Sequence, residues 1–68
     1  MKMTEAQFDC IAELIRSKDP ARQGARLVLL HDVPNAEAAR SVGVTPQSVH
    51  RATKRFVEVH ERLRRLYK

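Results

Sequence analysis

The feature that most constrains this chain is its last stretch: after Pro46 there is neither glycine nor proline as far as Lys68. Within it the apolar residues Val49, Ala52, Phe56, Val59, Leu63 and Leu66 recur in alternating steps of three and four. That spacing puts one apolar seam along a helix. Thr45-Pro46 supplies the start signal, a hydroxyl that can cap and a proline whose missing N–H costs nothing in the first turn. The pattern predicts a helix opening at Pro46 and running about 20 residues, roughly 30 Å at 1.5 Å per residue. A chain of 68 residues allows one domain with a small core. The remaining residues must therefore cover this helix.

They too read as helices. Thr4 and Gln7 form a capping box, with Met3 and Phe8 placed as a hydrophobic staple. Phe8, Ile11, Ala12 and Ile15, widened by Leu14, make the apolar stripe of a first helix expected to end near Ser17 or Lys18. Asp19-Pro20 is read as cap and first turn of a second helix. Its buried face is Ala21, Ala25, Val28 and Leu29, and it stops near His31. Asn35 is read as the cap of a short third helix, Ala36 to Val42, which Gly43 closes in a left-handed turn. No apolar–polar alternation suggests a strand. The expected fold is all-α, a bundle of about four helices in a single domain spanning residues 1–68.

Several functions are excluded at this level. The longest aliphatic run, Leu27 to Leu30, is four residues, against about 20 for a membrane span. Glu5 and Asp9 interrupt any signal-peptide core. A lone cysteine permits no intrachain disulfide, which suits a cytoplasmic protein; Cys10 is expected to be a partly buried small apolar residue. His31, His50 and His60 lack metal-ligand spacing, and no phosphate loop or nucleophile constellation is present. No catalytic residue, metal or cofactor is expected.

Charge points elsewhere. Residues 1–44 carry six basic and six acidic side chains, whereas residues 45–68 carry seven basic (Arg51, Lys54, Arg55, Arg62, Arg64, Arg65, Lys68) against Glu58 and Glu61. The whole net charge of +5 thus sits on the long helix, and a polyanion, nucleic acid before a membrane surface, is the partner it fits. The alternative is a solvated face that keeps a small protein in solution.

Residues 35–56, NAEAARSVGVTPQSVHRATKRF, bear on the choice, with a helix-turn-helix as one reading and an ordinary αα-hairpin that binds nothing as the other. A helix-turn-helix needs a small residue at the crossing, a glycine in the turn and apolar residues that dock the second helix. Ala39, Gly43 and Val44 meet the first demands, with Ala38, Val42, Val49 and Ala52 facing inward. Docking through Val49, Ala52 and Phe56 turns Gln47, Ser48, Arg51, Lys54 and Arg55 outward, with His50 on the flank. Gln pairs bidentately with adenine and Arg with guanine in the major groove. Gln47, His50 and Arg51 are therefore assigned to base edges. Thr45, Ser48, Lys54 and Arg55, with Arg40 from the preceding helix, are assigned to phosphates. One Tyr and two Phe are too few for the stacking platforms of single-strand binders.

The opening MTEAQFDCI and the segment ARLVLLHDVPNAEAARSVGVTPQSVHRATKRFVEVHERL resemble the TrfB/KorA family of plasmid-encoded transcriptional repressors. The resemblance covers roughly residues 3 to 62, most distinctively the TEAQF start, Pro34 to Ala39, and VGVTPQSVHRA. It implies a homodimeric repressor of plasmid promoters that binds a palindromic operator, in some settings with a ParB-like co-repressor. The longer members carry a separate C-terminal dimerisation domain. Here the seam beyond the core, Val59, Leu63 and Leu66, is the candidate interface, in a dimerisation extension over residues 57–68. The competing reading packs these three residues back onto the first helix. A different function class also stays open: a helical protein–protein module, such as an antitoxin-like or co-regulator subunit.

Overall fold

A computed structural model describes residues 3–66; Lys2, Lys68 and the last two positions of the 57–68 extension lie outside the described residues. Four helices follow in order: α1 (Glu5–Leu14), α2 (Ala21–His31), α3 (Asn35–Val42) and α4 (Pro46–Leu66). The described residues contain no strand. α2 packs against all three others, and α4 lies across α1, α2 and α3. With 21 residues α4 spans about 30 Å, most of the 36 Å long dimension of the molecule.

Local chemistry explains most boundaries. At α1 the Thr4 N–H donates to Gln7 Oε1 at 2.9 Å and the Gln7 N–H to Thr4 Oγ1 at 3.1 Å, so both orphan donors are satisfied. Met3 and Phe8 are buried in one cluster, as a staple requires. The far end differs from expectation: α1 stops at Leu14, not at Ser17 or Lys18. Arg16 turns left-handed (φ 53°), and the Ser17 N–H reaches Ala12 O at 2.9 Å while the Arg16 N–H reaches Glu13 O at 3.2 Å. This is a Schellman closure with arginine where glycine is usual.

Two capping expectations are corrected. Asp19 does not cap α2. Pro20 occupies the cap position without a side-chain hydrogen bond, and Asp19 instead binds the Arg22 guanidinium at 3.0 and 3.2 Å. Asn35 is the first residue of α3 rather than its cap, and its amide is used across the turn, as described below. Gly43 does adopt the left-handed conformation, φ 75°.

The core has two parts. In one, Phe8 and Phe56 stack with ring centroids 4.3 Å apart among Met3, Ile11, Ala12 and Ala25. In the other, Ala38, Ala39 and Val49 pack together with Leu27, Val28, Val33 and Val44 around them. Gly24 allows the close approach of α2 to α4: a Cβ there would lie 2.7 Å from Val49 Cγ2. Two apolar positions depart from the expected pattern. Leu14 is 61% exposed and does not widen the α1 stripe, and Cys10 is exposed rather than partly buried. Val59 and Leu63 pack against the Phe8–Phe56 cluster, whereas Leu66 is 70% exposed.

Candidate nucleic-acid interface

The turn between α3 and α4 is built by three interactions. The Val44 N–H donates to Ala39 O at 3.0 Å, which closes the end of α3 over Gly43. Thr45 caps α4: the Ser48 N–H donates to Thr45 Oγ1 at 3.2 Å and the Thr45 hydroxyl donates to Ser48 Oγ at 3.0 Å. The Asn35 amide Nδ2 donates to Pro46 O at 2.8 Å, joining the first residues of the two helices. Ala38, Ala39 and Val49, each 1% exposed or less, fill the space between them. The spacing of Ala39, Gly43, Val44 and Val49 is consistent with a helix-turn-helix.

With Val49 and Phe56 fully buried, the opposite side of α4 is fixed by helical periodicity. Gln47, His50, Arg51, Lys54 and Arg55 are all exposed, as are Thr45 before the helix and Arg40 on α3; Ser48 is half-buried. From Gln47 to Lys54 the helix rises about 10 Å, close to the width of a DNA major groove, about 12 Å.

Three arginines outside this surface are ion-paired. Arg22 pairs with Asp19, Arg26 with both Glu5 and Asp9, and Arg64 with Glu61 at 3.9 Å. Among the described residues no carboxylate lies within 4 Å of Arg40, Arg51, Lys54 or Arg55. Unpaired cations on one helical face raise the local potential toward anions. The described residues hold no group of three or more His, Cys, Asp or Glu side chains able to bind a metal. None of their helices is long and apolar enough to cross a membrane.

A family model for the TrfB plasmid transcriptional repressor, KorA, matches residues 3–66. The chain belongs to the KorA family. No curated protein and no solved structure matches it. The match runs through all four helices, so in this KorA-family chain the α1–α2 scaffold and the cationic helix fall within one family unit.

Sequence reasoning missed two residues that shape the surface. Asn35 carried the signal of a cap, and nothing in its local sequence shows that its donor is spent eleven positions downstream. Gly24 did carry a signal: a glycine inside a helix costs about 0.5–1 kcal/mol relative to alanine and so marks a place where a Cβ has no room.

Proposed function

We propose that this chain is a sequence-specific duplex-DNA-binding repressor of plasmid promoters, acting in the cytoplasm, with α3 and α4 as its helix-turn-helix. The observation that carries the proposal is the face of α4 on which Gln47, His50, Arg51, Lys54 and Arg55 are exposed with no carboxylate paired to the cations. Gln47, His50 and Arg51, nearest the start of the helix, read base edges. Lys54, Arg55 and Arg40 bind phosphates, joined by Thr45 and Ser48. In this role the protein binds and occludes; it carries out no reaction.

The operator is a palindrome bound by two copies, with half-sites about 34 Å apart. Exposure of Leu66 favours the end of α4 as the contact between copies. Val59 and Leu63, packed against their own core, contribute only their outer edges. Such a contact is weak alone, because association costs several kcal/mol of lost freedom, and DNA strengthens it by holding both copies together. A ParB-like co-repressor is a further partner consistent with family membership.

Fluorescence anisotropy on a duplex from the promoter under test and on its scrambled counterpart, across a salt series, tests the reading. If two copies neutralise roughly 8 phosphates, log K falls with log salt at a slope near −7. Equal affinity for both duplexes rejects sequence-specific reading. A flat salt response with no duplex binding favours a protein–protein module instead.

A further inference from the structure

Between the first turns of α3 and α4 lies a depression of about 480 Å³ with a mostly apolar lining, formed by Asn35, Pro46, Gln47, His50 and Arg51. It opens on the same side of α4 from which Gln47, His50 and Arg51 project. Its chemistry is set by which polar groups are already used. A helix start ordinarily offers free amide donors to an anion, but here most are absent or spent. Pro46 has no N–H. The N–H groups of Ser48 and Val49 turn back to Thr45, at 3.2 Å to its hydroxyl and 3.3 Å to its carbonyl. The Thr45 hydroxyl is given to Ser48, and one of the two Asn35 amide N–H donors goes to the Pro46 carbonyl. What the depression presents is the ring of Pro46, an exposed residue, with the polar ends of Asn35, Gln47, His50 and Arg51 beside it.

A major groove displays one apolar group on the edges of its unmodified bases, the C5-methyl of thymine. We propose that this depression is a methyl-reading subsite, in which the Pro46 ring packs on the C5-methyl of one operator thymine. Gln47, His50 and Arg51 meanwhile bond to the neighbouring base edges. Asn35 is a positioning residue: its hydrogen bond to Pro46 O sets where that ring stands relative to α3. The inference rests on the proposed reading of duplex DNA and adds to it the identity of one base feature.

The test begins with duplexes selected from a random library by the full chain. Each thymine of the selected site is then replaced in turn by deoxyuridine, which removes only the methyl. One thymine should show a loss of about fourfold, the value of burying a single methyl group, and the others little. In Pro46→Ala, which keeps the Thr45 cap, the thymine-to-uracil ratio at that position should fall to near one. Asn35→Ala should lower the same ratio, an effect that general destabilisation would not produce, and it serves if Pro46→Ala fails to fold. If no thymine in a selected site responds to loss of its methyl, the subsite is rejected while duplex reading stands. A ratio unchanged in both variants also rejects it, because the methyl is then read elsewhere. If no duplex is selected above background, the DNA reading fails and the subsite with it.

Discussion

Arg26 and Arg51 are the same side chain put to opposite uses. Arg26, on α2, reaches Asp9 at 3.2 Å and also pairs with Glu5, while its guanidinium lies 5.6 Å from the centre of the Phe8 ring. Its charge is spent on joining α1 to α2. Arg51, on α4, is exposed and has no carboxylate within 4 Å among the described residues. The difference lies in what faces each residue. Glu5 and Asp9, one turn apart on α1, point toward α2, whereas the acids of α4, Glu58 and Glu61, come after the turns that carry Gln47 to Arg55. The half of the molecule built on α1 and α2 uses ion pairs to join its helices, whereas in the half built on α3 and α4 the cations Arg40, Arg51, Lys54 and Arg55 have no carboxylate partner among the described residues.

The strongest way to break this division is to cut the joint between the halves. Phe56→Ala removes the ring stacked on Phe8 at a position with no exposed surface. Phe→Ala in a core costs about 3–5 kcal/mol, a large fraction of the 5–15 kcal/mol typical of a whole domain. Circular dichroism should show a chain largely unfolded or melting far below the parent. A melt within a few degrees of it would mean that α1 and α4 are held by something else.

Gly24→Ala probes how the scaffold positions the cationic helix. The added methyl meets Val49 Cγ2 at 2.7 Å, and Val49 is fully buried, so α4 or α2 must move. Overpacking costs about 1–3 kcal/mol, only partly offset by the better helix propensity of alanine, about 1 kcal/mol. Duplex affinity should fall with stability. Unchanged affinity would show that the position of α4 is not set at this contact.

Arg51→Ala and Lys54→Ala sharpen the cationic side of the comparison. The first should cost about 1–3 kcal/mol at one base position and relax preference there. The second should weaken all duplexes alike and reduce the magnitude of the salt slope by about 1. Binding to a panel of single-base operator variants distinguishes them, and identical behaviour would refute the division into base and phosphate contacts. Leu66→Glu belongs beside these. Sedimentation on the operator duplex should show one bound copy in place of the two proposed, with the melt unchanged, whereas Leu63→Glu, which buries a charge beside the Phe8–Phe56 cluster, should destabilise the fold itself.

The smallest effect is expected from the spent arginine. The carboxylates facing Arg26 are 65–69% exposed, and such pairs contribute about 0–1 kcal/mol, with some further loss from the guanidinium over the Phe8 ring. Arg26→Gln should lower the melting temperature slightly and leave duplex affinity and salt slope as they were. A lowered slope would place Arg26 on the DNA.

Legibility followed the range of the interactions involved. The Thr4–Gln7 box, the Thr45 cap, the stop at His31 and the left-handed Gly43 were all readable, because each depends on residues within a few positions. Asp19 carried the same cap signal and does not cap, since Arg22 competes for its carboxylate. The early end of α1 was illegible because arginine gives no sign of a left-handed conformation. Among the candidate contacts, the outward set on α4 followed from knowing that Val49, Ala52 and Phe56 face in. That Asn35 spends its donor on Pro46 did not.

The sequence by itself therefore determined where α1 and α4 start and that α4 is long, since capping, proline placement and the helical period act over one or two turns. Only the tertiary structure decided which apolar residues are covered. Ile15 packs against the Phe8–Phe56 cluster while its neighbour Leu14 is left out, and Val59 and Leu63 pack there while Leu66 is left out. Burial depends on where the partner helices end and how far they reach, and α4 outruns the helices that cover it.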